Sequence, residues 1–358
     1  MGLCQPLKLD LSPDAAQQRR PMRILVTGAA GFIGFHLARR LLADGHAVAG
    51  LEGMTPYYDP ALKAARLAEL TPLPGFTFER LRLEDMAAMT VAFERAQPEI
   101  VVHLAAQAGV RYSLENPRAY VDSNLVGTFN VLELAKTAKA RHLLLASTSS
   151  VYGASAKQPF EETDRADYPL TPYAATKKAG ELMSHSVSHL GDLPTTAFRF
   201  FTVYGPWGRP DMSPWRFAEA IEAGQPIEVY GDSDEIWRDF TFVDDLVEAI
   251  VRLIPAVPVK GAPVGPMDSL SPVAPWRVVN IGRGEPVRLT DLIEAIEISL
   301  GKTAERRQLP MQAGDVPLTF AGAELLQALT DYRPATPLGD GVAAFCDWLQ
   351  AYGAERRL

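Results

Sequence analysis

From Met22 onward the apolar positions fall into two alternating patterns. Short continuous apolar runs, typical of strands covered on both faces, are followed by stretches with apolar residues every three to four positions, the mark of an amphipathic helix. The run at 22–26 (MRILV) leads through 27–34 (TGAAGFIG) into a helical stretch at 35–45 that Gly45 closes. A strand at 46–51 has an acid, Glu52, at its end. Helix 59–70, strand 76–81, helix 85–96 and the buried strand 99–106 follow, then a long helix over 117–140, a strand at 143–146 and a helix over 172–189. Such alternation predicts an α/β fold with a doubly wound parallel sheet and right-handed crossovers. There is no internal repeat. The pattern lapses at 255–275, where six prolines predict a surface loop.

Composition narrows the field. With 358 residues, 47% of them apolar, the chain can bury a large core. A net charge of −8 disfavours nucleic acid or an anionic membrane surface as partner. No apolar run approaches the ~18 residues of a membrane span. Residues 1–21 are polar and lack the apolar middle of a secretory signal, so they are expected to be a disordered extension, or the result of a start codon upstream of a true start at Met22. Cys4 and Cys346 lie at opposite ends of the chain, which argues against a disulfide framework and fits a reducing cytoplasm.

Two motifs carry chemistry. Gly28, Gly31 and Gly34 stand where strand meets helix, so backbone N–H groups and the helix dipole face any bound phosphate. A glycine-rich turn without a ligand has the same glycines. The flanking strand and helix, with Glu52 placed to take both ribose hydroxyls of NAD and repel a 2′-phosphate, favour a dinucleotide. Further on, 173–177 (YAATK) puts Tyr173 and Lys177 on one helix face at i, i+4. A neighbouring ammonium and a positive nicotinamide would both lower the phenol's pKa from ~10, and Tyr173 could then take a proton from a sugar hydroxyl as hydride leaves for the cofactor. A surface Tyr–Lys pair is the alternative. A third stretch, 147–150 (STSS), ends an apolar strand in four hydroxyls, which either close a turn on their own backbone or await a ligand.

These stretches resemble the extended short-chain dehydrogenase/reductase family of nucleotide-sugar enzymes. Longer ones at 57–67, 103–128, 199–212, 237–245 and 308–317 are similar to UDP-glucuronate 4-epimerases. The resemblance implies NAD as cofactor, a UDP-sugar as substrate and C4 epimerisation through a 4-keto sugar. It implies Thr148, Tyr173 and Lys177 as the catalytic set: Thr148 holds the 4-hydroxyl, Tyr173 is acid and base, and Lys177 binds the nicotinamide ribose. Phe32, Ile33, Leu83, Ala105, Asn124 and Val203 join the glycines and Glu52 along the cofactor. Arg209 and Arg238 match arginines that meet the substrate at its pyrophosphate, although Arg238 followed by Asp239 also suits a structural salt bridge. Asp315 matches a uridine ribose contact. A few converging arginines would let an acidic chain hold a polyanion. The implied division is an NAD-binding domain over 22–201, with 241–254 returning to it, and a nucleotide-sugar-binding domain over 202–240 and 276–358. A homodimer would pair the helices at 117–140 and 172–189.

The chain departs from the family at Arg82, where an Asp that meets adenine is common, so backbone at Leu83 is expected to serve. Glu52 replaces the usual Asp. Relatives that dehydrate or decarboxylate sugars carry acids near position 150, whereas this chain has Ser149 and Ser150. With Thr148 and Thr202 these hydroxyls could hold a uronic acid carboxylate. A UDP-glucuronate decarboxylase and a UDP-glucose 4-epimerase remain alternatives on this scaffold, and a non-catalytic NAD sensor is an alternative of another class. No metal is expected. His185 and His189 sit at i, i+4 without the glutamate of a metalloprotease and are expected to be surface histidines.

Overall fold

The computed structural model describes residues 20–312 and 314–355. The expectation for 1–21 therefore lies, but for residues 20 and 21, outside the described residues, as does Cys4. A seven-stranded sheet forms the centre, assembled from β1 (Arg23–Thr27), β2 (Ala47–Glu52), β3 (Phe76–Arg80), β4 (Ile100–His103), β5 (His142–Ala146), β6 (Thr195–Phe200) and one late strand. Its order, β3-β2-β1-β4-β5-β6 and then Trp276–Ile281, is parallel at every pairing. The chain reverses its winding between β1 and β4, which opens a crevice at the carboxyl ends of these strands. Helices α1 (Phe32–Ala43), α2 (Pro60–Leu70) and α3 (Met86–Ala96) alternate with the first strands. Phe35, Leu37, Ala38 and Leu41 of α1 are fully buried, each large side chain contributing about 1.5–3 kcal/mol.

The helix expected over 117–140 is broken. Short helices α4 (Tyr112–Glu115) and α5 (Pro117–Tyr120) precede a π-helical turn, Val121–Gly127, and only then does α6 (Thr128–Thr137) run regularly. Pro117 has no N–H to continue the preceding turn, so one helix ends at Asn116 and another starts. By contrast α7 (Pro172–Gly191) is a single helix, with Pro172 in its first turn and the Thr171 hydroxyl accepting from the Ala174 N–H.

The chain after β6 runs through smaller elements, β7 (Thr202–Tyr204), α8 (Ser213–Glu222), β8 (Ile227–Tyr230), β9 (Trp237–Arg238) and β10 (Phe240–Phe242), and then α9 (Val243–Leu253), whose apolar face joins the core under the main sheet. After residues 255–275, which hold no helix or strand, come β11 (Trp276–Ile281), β12 (Val287–Arg288), α10 (Leu289–Leu300), β13 (Arg306–Leu309), β14 (Leu318–Thr319), α11 (Glu324–Thr330) and α12 (Leu338–Glu355). Since β11 is the late strand that pairs with β6, the return to the main sheet includes 276–281, which the sequence assigned to the other domain. A second core of Tyr204, Trp215, Phe217, Ile293, Val342 and Phe345 lies apart from the one under the main sheet. His185 and His189 anchor the proline-rich connection, bonding Ser271 Oγ at 2.8 Å and the Val273 carbonyl at 2.9 Å.

Candidate active site

The crevice at the switch between β1 and β4 continues as one cleft past α7 to β7 and the loop before α8. Gly28, at φ +77°, turns the chain out of β1, and a Cβ there would lie 2.9 Å from the Ala105 backbone nitrogen. A Cβ on Gly34 would overlap the Gly28 carbonyl oxygen, so only glycine lets α1 pack this close. No side chain caps α1, whose N-cap is Gly31, and its first N–H groups are free to meet an anion. Gly28, Gly31, Phe32, Ile33, Gly34, Glu52, Leu83, Ala105 and Val203 all line the cleft. This uncapped, side-chain-free turn beside an acid fits a dinucleotide.

Glu52 does not act alone. Its Oε1 accepts from the Met54 N–H at 3.1 Å and from Lys63 Nζ at 3.2 Å, so a buried cation shares its end of the cleft. Arg82 lines the same end and pairs with Glu84. The Leu83 carbonyl accepts from Asn130 Nδ2 at 2.9 Å, and its side chain packs in the apolar cluster of Met89 and Val131 at the edge of the cleft. Asn124 is buried behind the lining. Its amide accepts from the Gln107 N–H at 2.8 Å and donates to the Gln107 carbonyl and to Thr176 Oγ1. Gln107, not Asn124, faces the cleft.

Thr148, Tyr173 and Lys177 meet at the floor. Tyr173 occupies the first turn of α7, where the helix dipole favours negative charge, and Lys177 follows one turn later. Both show part of their surface to the cleft while lying deep in the protein. Burial raises the Tyr173 phenol above its ordinary value; a hydrogen bond with Thr148 and the charge of Arg209 pull it down. The depression expected from Lys177 comes instead from Thr148 and Arg209, and burial outweighs both. Burial lowers the Lys177 ammonium to about 8, with Glu181 acting against that fall. His103, beneath the site, is held near 3 by burial and the Lys177 charge. Neutral, it bonds Thr27 Oγ1 at 2.7 Å and Thr128 Oγ1 at 3.1 Å.

The four hydroxyls divide their labour. Ser147 donates to Glu181 at 2.7 Å and is buried. Thr148 Oγ1 caps the short turn Ser149–Tyr152, accepting from the Ser150 N–H at 3.2 Å. Ser149 and Ser150 line a small second pocket with Gly153, Thr171, Gly314, Val316 and Thr319. Thr202 begins β7, held by its N–H to the Asp239 carbonyl.

The arginines also separate. Arg209 lines the cleft and forms a two-pronged pair with Asp211, whose carboxylate also accepts from the Tyr57 hydroxyl at 2.9 Å. Arg238 lies outside this cleft and donates to the Trp237 and Pro317 carbonyls, each at 2.9 Å. Its neighbour Asp239 takes the Arg283, Gly284 and Ala321 N–H groups, so the salt bridge between the two does not form. Asp315 lies 3.6 Å from Arg111, whose guanidinium stacks 4.5 Å from the Tyr230 ring centroid. Sequence reasoning missed Arg111, Tyr57, Lys63 and Gln107. Lys63, three positions after Pro60, reads as ordinary helix surface, and nothing local marks it as turning inward. Among the described residues no three His, Cys, Asp or Glu side chains gather as a metal site, and no helix is long and apolar enough to cross a membrane.

A dinucleotide turn and a Thr–Tyr–Lys set facing one cleft define a class, and the chain belongs to the NAD dependent epimerase/dehydratase family, whose model matches residues 24–263. It is 57% identical over 330 residues to a protein of Rhizobium meliloti (strain 1021) named "Probable UDP-glucuronate 4-epimerase", covering 91% of this chain and 96% of the relative. It is 41% identical to UDP-glucuronate 4-epimerase 1 of Arabidopsis thaliana, covering 92% and 77%. Among solved structures, UDP-glucuronic acid 4-epimerase from Bacillus cereus in complex with UDP-glucuronic acid and NAD superposes with a TM-score of 0.81 at 31% identity, covering 92% of this chain and all of that one.

Proposed function

We propose that this chain is an isomerase that interconverts UDP-glucuronate and UDP-galacturonate by NAD-dependent epimerisation at C4. The observation that carries this reading is the Thr148–Tyr173–Lys177 set on the floor of a cleft whose far wall is the glycine turn, with hydroxyls rather than acids continuing from Thr148. The names of the similar proteins support it. NAD, when bound, supplies the acceptor and later the donor of the hydride at C4. The glycine turn, Glu52 and the Leu83 segment hold it, and Lys177 takes its nicotinamide-side ribose. Thr148 orients the 4-hydroxyl of the sugar. Tyr173 takes that hydroxyl's proton as the C4–H bond breaks, leaving a 4-keto sugar, and returns the proton after the ring has turned its other face. Arg209 meets the pyrophosphate by exchanging part of its pairing with Asp211, Arg238 meets it too, and Asp315 holds the uridine ribose. Ser149, Ser150 and Thr202 hold the uronic carboxylate.

The two separate cores support a cofactor domain and a substrate domain, with 276–281 counted in the first. Exposed apolar side chains on α6 and α7, among them Phe129 at 48%, Leu182 at 61% and Leu190 at 81%, support a homodimer across these helices. Two cysteines at opposite ends of the chain support a cytoplasmic setting. Incubation with UDP-glucuronate and with UDP-glucose, with products resolved by NMR, tests the function. UDP-galacturonate from the first and slow turnover of the second are expected. UDP-xylose or a UDP-4-keto-pentose as main product would replace the reading with a decarboxylase.

A further inference from the structure

Two elements bring the catalytic residues together. Thr148 follows β5, whereas Tyr173 and Lys177 ride on α7, and the whole connection 149–171 separates them. A proton transfer between such groups tolerates errors of only about 0.5 Å. A buried polar set crosses this joint. Ser147 Oγ, one residue before Thr148, donates to Glu181 Oε1 at 2.7 Å. Glu181 lies one helical turn after Lys177. From β6, Arg199 grips both carboxylate oxygens, Nε to Oε1 and Nη2 to Oε2, each at 2.8 Å, and Lys178 Nζ adds a contact at 3.1 Å. Ser147, Glu181 and Arg199 are exposed by only 3%, 1% and 2%. Arg199 is itself stacked 4.5 Å above the Tyr152 ring centroid, and the Tyr152 hydroxyl donates to Asn280 Oδ1 at 2.7 Å.

A buried ion pair is weak evidence for stability, because apolar side chains of similar volume often serve as well or better. Its placement is informative here. Resting on the epimerase reading above, we infer that Ser147, Glu181 and Arg199 are positioning residues for the reaction, locking the Thr148 end of β5 to the Tyr173–Lys177 face of α7. Glu181 also supplies the countercharge for Lys177. The charged and titratable groups that act on that ammonium are Glu181, one turn further along α7, and His103 of β4; Glu181 is itself paired with Lys178 of α7 and Arg199 of β6. His103 is neutral and Arg199 is cationic, so Glu181 is the group that favours the ammonium.

The test uses the full chain with its NAD. Ser147→Ala removes one hydroxyl and no charge. It is expected to lower kcat on UDP-glucuronate about tenfold, with KM and the NAD⁺ Kd of stripped protein within about twofold, and Ser147→Thr is expected to restore the rate. Glu181→Gln is expected to move the alkaline limb of the kcat–pH profile down by about one unit. By lysine-labelled NMR, assigned against Lys177→Arg, the Lys177 resonance should titrate lower by a similar amount, a readout independent of turnover. Unchanged kcat in Ser147→Ala overturns the inference, as does a loss that follows the thermal midpoint and that threonine fails to rescue. A Lys177 titration unmoved in Glu181→Gln removes the countercharge role. Should Glu181→Gln fail to fold, the serine pair decides. Wild-type protein that binds NAD⁺ but leaves UDP-glucuronate unchanged defeats the epimerase reading instead, and the Lys177 titration still judges Glu181.

Discussion

The two walls of the cleft are made from different materials. The dinucleotide wall is backbone: Gly28 at φ +77°, an uncapped helix start, and Gly34 packed where no side chain fits. The other wall is charge and hydroxyl, Arg209 with its Asp211 pair, Tyr57 and Thr148; Arg111 with Asp315 and the Ser149–Ser150 turn lie beyond the cleft lining, the serines in the second pocket. A backbone requirement admits one residue type and leaves its mark at that position. A charge can be satisfied by any partner the fold brings near, so its role is set by neighbours distant in sequence.

The largest effect should come from the backbone wall. Gly34→Val places atoms inside the Gly28 carbonyl, and we expect loss of copurified NAD and a thermal midpoint lower by more than about 10 °C. NAD retained at full stoichiometry in that variant would erase the contrast between the walls. Tyr173→Phe should next lower kcat by about 10²–10⁴ while NAD stays bound, which steady-state rates and the ultraviolet spectrum of the purified protein would show. Retained activity would move the base elsewhere.

On the charged wall, Arg209→Met should raise KM for UDP-glucuronate at least about tenfold, because it removes a cleft cation and strips Asp211 of its main partner. Arg238 lies outside the cleft lining, and Arg238→Met should raise KM less. The reverse order in measured KM values would show that the Arg209–Asp211 pair is structural.

Smaller still is a change in product. A ketone at C4 lies beta to the C6 carboxylate, and such acids lose CO₂ most readily when the breaking C5–C6 bond stands perpendicular to the ketone plane. Ser149→Ala with Ser150→Ala should therefore raise the ratio of UDP-4-keto-pentose to UDP-galacturonate. Clean epimerisation by the double variant would mark these serines as turn residues only.

The mildest test is one of pH. Glu162, beneath the serine turn, accepts from the Asn280 N–H at 2.8 Å, yet burial raises its carboxyl from 4.5 to about 7. Between those values the folded protein keeps a proton that the unfolded chain has lost, so stability falls as pH rises through this window and the cost is complete above it. Glu162→Gln should flatten that slope and raise the thermal midpoint at pH 7.5 by a few degrees. An unchanged slope would mean that Arg199, which favours the carboxylate, outweighs burial.

The alternation of strand and helix, the glycine turn and the Tyr173–Lys177 spacing were all legible in the residues, because each rests on interactions between positions a few residues apart. The break of 117–140 into short helices and a π-turn was hidden, since apolar periodicity hardly differs between one long helix and several stacked turns. Asn124 looked like a cofactor contact but faces Gln107 and Thr176, and strand 276–281 returned to the main sheet against expectation. Only the tertiary structure could pair Lys63 with Glu52, Arg209 with Asp211, and Ser147 with Glu181. Local sequence specifies backbone shape and side-chain spacing within an element. The partner of a buried charge depends on which elements meet, and the whole chain's packing decides that.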